Sequence, residues 1–184
     1  MKGSTLIGLL GAVAAYPFML ASIAMSPWFN VYNNALSDLG NVANNGPVAY
    51  VYNIGLVLAG LLVAIFAVYI TSSRRSGATS AWSIPLAIGS ADLALIGVFS
   101  EDAGRIHGIV SLIFFLIMAI TLLIYSYASW PLGSPRVGAI SLFFGIASAL
   151  IWFIPWPWRG VAIQEATTSG MTAVWLILVA LKNT

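Results

Sequence analysis

The densest group of chemically active side chains in this sequence lies in one short turn, residues 100–108. It holds two carboxylates, a guanidinium and the chain's single imidazole: Glu101, Asp102, Arg105 and His107. A helix that begins at residue 106 places the imidazole in its first turn, where the positive helix end favours the neutral form. A neutral imidazole beside carboxylates can act as a general base or a metal ligand. The alternative is structural, because carboxylates also stabilise a helix N-terminus.

Asp92 is the one carboxylate inside a long apolar segment. An ionised carboxylate in hydrocarbon is costly and needs a partner, a water-filled cavity or a proton. Gly89 lies one turn away on the same helix face and leaves room for a neighbouring helix, water or ligand. Asp92 is therefore a candidate proton relay or cation ligand. The alternative is a structural pair with Arg105 or Arg159.

Residues 30–41 mix amides, a hydroxyl and a carboxylate with apolar residues. Ser37 or Asp38 would cap a short helix there. Such a helix would form a lid over the bundle, and an interfacial hairpin filled by its leucines is the alternative. Asn53, one turn inside the next apolar segment, is expected to bond to a neighbouring helix.

These polar residues are set in a strongly apolar chain. Of its 184 residues, 60% are hydrophobic and 7% are charged, whereas a soluble domain averages about 25% charged residues. A water-soluble fold is therefore excluded. The sequence has no cysteine, which excludes disulfides and thiolate metal sites. A net charge of +2 spread over so few charged residues indicates no nucleic-acid-binding surface.

The apolar segments predict an all-α integral membrane helical bundle with six transmembrane helices in a single domain, residues 1–184. A span needs about 20 apolar residues, and six spans with short loops use the whole chain. The predicted spans are residues 5–25, 48–70, 82–99, 106–128, 137–156 and 168–181. Residues 26–47 form the longest connection, and we expect an ordered outer loop there, between the first and second helices.

Basic residues indicate how the bundle is oriented, because Lys and Arg near span ends stay on the cytoplasmic side. A six-span arrangement puts five of them on one side: Lys2, Arg74, Arg75, Arg136 and Lys182. Arg105 and Arg159 lie on the other side, together with four acidic residues: Asp38, Glu101, Asp102 and Glu165. The sequence therefore predicts a multi-pass cell-membrane protein with cytoplasmic N- and C-termini and an outward-facing polar cluster.

Two segments have alternative interpretations. The first apolar segment follows Lys2 and contains Ser22-Ile23-Ala24, a small-x-small pattern that also occurs at signal cleavage sites. Its length favours a membrane span. The sixth segment is interrupted by the polar residues 167–170 and could be half-inserted, but the terminal Lys182 favours full crossing.

Four motifs carry a family resemblance. They are Asn34-Ala35-Leu36-Ser37-Asp38-Leu39-Gly40, Val51-Tyr52-Asn53-Ile54-Gly55, Gly97-Val98-Phe99-Ser100-Glu101 leading to Ile106-His107-Gly108, and Gly160-Val161-Ala162-Ile163-Gln164-Glu165 followed by Gly170 and Trp175. On these residues the chain resembles, nearly end to end, the membrane protein family named domain of unknown function 998. The resemblance implies six spans and one outer polar site, and it supplies no reaction.

The chain departs from the family pattern at two positions. Family members often have Pro at or near the position of Ser100, and an Arg after the Gln where this chain has Glu165. The second difference reverses a charge at the outer mouth. An anion contacted by that arginine would not be bound in the same way here.

The sequence is compatible with three functions. The first is an outward-facing polar pocket that binds or transports a small polar molecule, a cation or a lipid headgroup. The second is an accessory subunit of a larger membrane complex, and the third is an intramembrane acid/base enzyme acting on a lipid or isoprenoid. The candidate ligand-binding residues are Ser37, Asp38, Asn53, Asp92, Glu101, Asp102, Arg105, His107, Arg159, Gln164 and Glu165.

The motifs identify no catalytic residue and no cofactor, and the candidate list includes no metal site. The expected partners are membrane lipids and either other membrane subunits or further copies of the chain. No nucleic-acid partner is expected.

Overall fold

A computed structural model describes residues 3–73 and 76–182, which are all-α and contain no strand. The helices are α1 (Gly3–Val13), α2 (Ala15–Met25), α3 (Val42–Asn45), α4 (Ala49–Ser73), α5 (Gly77–Val98), α6 (Arg105–Ala128), α7 (Pro135–Leu150) and α8 (Ala162–Lys182). Three 3₁₀ turns lie between them: Leu36–Gly40, Gly46–Val48 and Glu101–Ala103.

The long helices form six rods, because α1 and α2 continue one another. Ala14, between them, keeps helical backbone angles. Pro17 has no N–H to donate to the carbonyl of Val13, so the helix is interrupted at this point. The other five rods are α4, α5, α6, α7 and α8.

The rods pack in a closed ring in which neighbours along the chain are neighbours in space. α4 packs against α1, α2 and α5, while α6 packs against α5 and α7, and α8 packs against α7 and α1. In the interior, Trp175 stands edge-on to Trp82 and Tyr125, with ring centroids 6.1 and 5.3 Å apart. The outward faces carry exposed apolar side chains such as Leu112 and Phe143.

The apolar helices make this a multi-pass membrane protein. Four helical segments have the length and apolar composition of a membrane span: residues 3–25, 42–73, 77–98 and 105–128. α7 is apolar but shorter, and α8 begins with polar residues. Exposed leucines and isoleucines on these segments are expected, since lipid tails are as apolar as the side chains that face them.

The first four predicted spans match the observed helices within a few residues, while the last two differ at one end. The span predicted over residues 137–156 ends at Leu150 in the structure. Pro155 and Pro157 follow in the chain. A proline disfavours helical backbone angles at the residue before it, here Ile154 and Trp156, so the helix does not continue through this segment. The span predicted over residues 168–181 begins six residues earlier, at Ala162.

One end of the bundle, here called the loop end, gathers residues 26–48, 99–104 and 151–161. The opposite end holds Arg136 in the first turn of α7 and Lys182 at the end of α8, whose amine donates to the carbonyl of Gly133. Lys2, Arg74 and Arg75, on which the orientation prediction also depends, lie outside the described residues. Arg105 and Arg159 lie at the loop end.

Backbone hydrogen bonds join the two longest connections at the loop end. The amides of Arg159 and Gly160 donate to the carbonyl of Tyr32 at 3.1 and 2.9 Å, and those of Val161 and Ala162 donate to Asn34 at 3.1 and 3.0 Å. A Cβ on Gly160 would overlap the Asn34 backbone nitrogen and oxygen. This pairing starts α8 at Ala162 and requires glycine at position 160.

We predict that Gly160→Ala lowers the unfolding temperature of the detergent-solubilised protein, with a loss of about 1–3 kcal/mol, because the added methyl group separates the two paired segments. Gly170→Ala is the matched control, since Gly170 lies inside α8 with no atom within 4 Å of its added Cβ. That change should be neutral or stabilising by up to about 1 kcal/mol. Equal unfolding temperatures for the Gly160→Ala and wild-type proteins would contradict the pairing.

Candidate functional site

Main-chain N–H groups of residues 35–43 hold carboxylates from three different parts of the fold. The amide of Ala35 donates to Asp38 Oδ2 at 3.1 Å, and the amide of Leu36 donates to Glu165 Oε2 at 2.5 Å. The amides of Val42 and Ala43 donate to the two oxygens of Asp102 at 2.6 and 2.9 Å. This segment therefore joins the 3₁₀ turn 101–103 and the start of α8 at the loop end.

Asp38 and Glu101 form a pair of carboxyl groups joined by a side-chain hydrogen bond. Two carboxyl groups make such a bond only when one of them carries a proton. Burial, and then this contact with Asp38, raises the pKa of Glu101 to about 7. The amide of Asn41, 3.4 Å from Glu101 Oε2, acts in the opposite direction. This contact between the loop segment and the 101–103 turn therefore favours the protonated form of Glu101.

Asp102 is in a different electrostatic environment, although it is the next residue. Its side chain is exposed, and the hydrogen bonds from the Val42 and Ala43 amides lower its pKa. Ser100 adds a hydroxyl donor at 3.1 Å. Asp102 therefore remains ionised at neutral pH and holds the start of the short helix α3.

Glu165 lies in the first turn of α8, before the span that the sequence predicts to begin at residue 168. Burial raises its pKa to about 7, and the charges of Asp38 and Glu101 act in the same direction, while the Leu36 amide opposes them. Asp38, Glu101 and Glu165 also act electrostatically on the buried hydroxyl of Tyr52. Three carboxyl groups thus converge at the inner side of the loop end.

A cavity of about 130 Å³ lies inside the ring of helices, beneath this cluster. Its wall is largely apolar and comes from α1, α2, α4, α5, α6 and α8, with Leu36 and Ser37 of the loop segment at the loop end. The polar and charged lining residues are Tyr16, Ser37, Tyr52, Ser90, Ser111, Glu165, Ser169 and Thr172. Glu165 is the one charged side chain among the described lining residues.

α2 and α8 border the cavity on the side where they pack least against each other. α8 packs closely against α1, whereas the α2 half of the first rod packs mainly against α4. Tyr16 of α2 and Ser169 of α8 both line the cavity here and interact through their side chains.

His107 is buried at the start of α6 and connects two helices. Its Nδ1 is 2.8 Å from the carbonyl oxygen of Phe99, which can only accept, so Nδ1 carries a proton and donates. Its Nε2 is 3.3 Å from the hydroxyl of Ser111 on the next turn. The imidazole thus satisfies a carbonyl at the end of α5, which matches the structural interpretation of this residue.

Asp92 and Asn53 are both buried, with different surroundings. The Asn53 amide donates to the carbonyl of Gly40 at 2.9 Å and so ties the loop segment to α4. Asp92 Oδ2 has no hydrogen-bond partner among the described residues. On the same helix, a Cβ at Gly89 would lie 3.0 Å from Met118 and Ile117 of α6. Asp92 is not among the cavity-lining residues.

The remaining candidates lie around the loop end. Arg105 and Arg159 are exposed. Gln164 is buried, and its Oε1 accepts from the indole of Trp158 at 3.2 Å. The structure therefore brings Ser37, Asp38, Glu101 and Glu165 close to one another, and it places Asp92, Arg105 and Arg159 apart from the cavity.

Several residues that line the cavity carry no signal in the sequence. Tyr16, Ser111, Ser169 and Thr172 occur singly in apolar helices, and nothing in their spacing marks them as neighbours. Tyr52 belongs to the family motif that contains Asn53, but nothing in the sequence marks it as a lining residue. Among the described residues, no group of three or more His, Asp or Glu side chains is arranged to hold a metal ion.

The match to a protein family covers residues 9–182. The family is described as "Protein of unknown function (DUF998)", and the chain belongs to this uncharacterised family of membrane proteins. Neither the curated proteins nor the solved structures contain a significant match. The resemblance seen in the motifs is thereby confirmed, and functional inference depends on the geometry of the site.

The pKa of Glu101 predicts how stability changes with pH. The folded protein holds a proton up to about pH 7 on a group that titrates at 4.5 when unfolded. Rising pH across this window therefore favours the unfolded state, and Glu165 acts in the same direction. We expect the unfolding temperature to fall between pH 5 and pH 8, and to fall less in Glu101→Gln. The difference in the free energy of unfolding should be on the order of 1 kcal/mol after solvent screening.

Asp102→Asn is the control for this measurement. The pKa of Asp102 is lowered and lies below the tested window, and its charge is the smallest of the causes that raise the pKa of Glu101, so the pH dependence should stay close to that of the wild type. An undiminished decline in Glu101→Gln would show that the pKa of Glu101 is not raised in the folded protein.

The bonds of His107 predict which substitutions its position tolerates. His107→Ala removes a buried side chain and leaves the carbonyl of Phe99 without its donor, and it should cost about 1–3 kcal/mol of stability. His107→Asn places an amide donor near the position of Nδ1 and should recover most of that loss. Thermal unfolding of both variants in detergent tests this, and equal destabilisation by Ala and Asn would contradict a donor role.

Proposed function

We propose that this protein binds a chain-bearing amphiphile, such as a membrane lipid, with the apolar chain in the central cavity and the headgroup at the loop end. The observation that carries the proposal is the cavity itself, an apolar space that ends at Glu165 and Ser37. A pocket for a small polar molecule would need more polar lining than this cavity has. An alkyl chain matches the wall, and a headgroup matches the polar end.

The membrane arrangement supports the same proposal. We propose that all six rods cross the bilayer with both termini in the cytoplasm, the orientation that the sequence distribution of Lys and Arg near span ends favours. The loop end would then face outward. A lipid from the outer leaflet would enter between α2 and α8, which pack little against each other and both line the cavity.

The alternatives have less support from the geometry. For an intramembrane enzyme, His107 is the natural base, but both of its ring nitrogens are engaged with Phe99 and Ser111. For an accessory subunit, the exposed apolar side chains on the helices are those that any lipid-facing surface carries. Neither alternative explains an apolar cavity inside the ring of helices with a carboxylate at one end.

Native mass spectrometry of the protein, extracted in mild detergent from its own membrane, tests the proposal. We expect a bound mass in the range of a lipid on the wild-type chain. Ala173→Phe adds a ring to the cavity wall, since Ala173 lines the cavity, and should reduce occupancy at least severalfold. The matched control is Ala91→Phe, the same substitution at an exposed position on α5.

Loss of the bound mass in Ala173→Phe alone would support the proposal. A wild-type chain that carries no ligand, or equal occupancy in Ala173→Phe and wild type, would contradict it. A chain that arrives with other proteins instead of a lipid would favour the accessory-subunit function.

A further inference from the structure

The charge distribution around the cavity indicates what kind of headgroup the site takes. Glu165 is the one charged residue among the described lining residues, and its Oε2 is already held by the Leu36 amide. A carboxylate at the end of an apolar cavity is poorly solvated, so an occupant that supplies a positive charge removes an energetic cost. An anionic occupant would increase that cost.

Among the described residues, the side-chain charges around Glu165 are negative. The side-chain charges that act on Glu165 are those of Asp38 and Glu101, both carboxyl groups. Those that act on Glu101 are again carboxylates, Asp38 and Asp102. Arg105 and Arg159 are exposed at the loop end, and neither lines the cavity.

Hydroxyl groups near Glu165 complete the polar end of the cavity. Ser37 lies on the loop segment, Tyr52 on α4 and Ser169 one turn along α8. Hydroxyl oxygens accept hydrogen bonds, so they can solvate an ammonium group in place of water. The site thus combines one carboxylate with neutral acceptors, which is an arrangement suited to a cation.

From this geometry we infer that the cavity selects an amphiphile with a positively charged headgroup, such as an alkyl amine or quaternary ammonium, which Glu165 contacts directly. The inference depends on the proposed function, since it names the headgroup of the chain that the cavity holds. Glu165 sets the preference, while the apolar wall binds the chain whatever headgroup it carries.

Three probes with the same chain and different headgroups test this inference: dodecyltrimethylammonium, dodecanol and dodecanoate. Radiolabelled probes are titrated onto the full chain in phosphatidylcholine nanodiscs at pH 8, with empty nanodiscs as background. We expect the wild type to prefer the cation over dodecanoate by about tenfold or more, which is about 1.4 kcal/mol. In Glu165→Gln this preference should fall to within about twofold.

The charge of the quaternary ammonium does not change with pH, so the titration of the protein can be observed separately. Cation binding to the wild type should strengthen from pH 6 to pH 8 as Glu165 loses its proton, whereas Glu165→Gln should show a smaller change. Asp38, Glu101 and Tyr52 are the other titratable groups that face Glu165. Asp102→Asn is the charge control, because Asp102 is exposed and outside the cavity, and it should keep the preference.

Dodecanol binding reports on the cavity independently of charge and shows whether each variant is folded. If no probe binds the wild type above background, the proposed function itself is wrong. If all three bind alike, or dodecanoate binds best, the function stands and the headgroup inference is wrong. A cation preference that persists in Glu165→Gln, or that Asp102→Asn removes equally, would also overturn the role of Glu165.

Discussion

The loop end depends on the main-chain N–H groups of residues 35–43, which hold carboxylates from elsewhere in the chain. Asp102 arrives from the turn between α5 and α6, and Glu165 from the first turn of α8. Charge-assisted hydrogen bonds of this kind are stronger than those between neutral groups. They fix the loop segment over the helices, and Asn53 adds a further tie to the carbonyl of Gly40.

This arrangement explains why so many acidic residues are found at one end of an apolar bundle. Amide donors satisfy the carboxylates, so no basic side chain is needed beside them. The negative charge is therefore stabilised but not cancelled, and burial leaves Glu101 and Glu165 close to their ionisation point at neutral pH. A cavity that ends at such a carboxylate favours a cationic occupant over an anionic one.

The cavity depends on helix packing at small residues. Gly60 of α4 contacts the backbone of α5 at Ser90 and Ala94, and Gly97 of α5 contacts α4 at Asn53. These contacts bring α4 and α5 close along their length, as is usual where helices associate in lipid. On the opposite side α2 and α8 do not pack in this way. The first rod and α8 are therefore close along α1 and less closely packed along α2.

The sequence by itself determined the all-α membrane fold and, within a few residues, the bounds of the first four long helices, because hydrocarbon thickness sets how long an apolar run must be. It also identified the loop-end carboxylates, since charged residues are conspicuous in a chain with 7% charge. Only the tertiary structure decided their partners. The bonds from Leu36 to Glu165 and from Val42 to Asp102 join residues far apart in the chain, which no local pattern encodes.

The tertiary structure also decided where α8 begins and where the cavity lies. α8 starts at Ala162 because the preceding residues pair with the backbone of Tyr32 and Asn34, a contact between two distant connections. The cavity is lined mainly by apolar side chains of the same types that face the lipid, so composition does not separate the two surfaces. Which face of each helix turns inward is settled by packing among all six rods, and that information is not local.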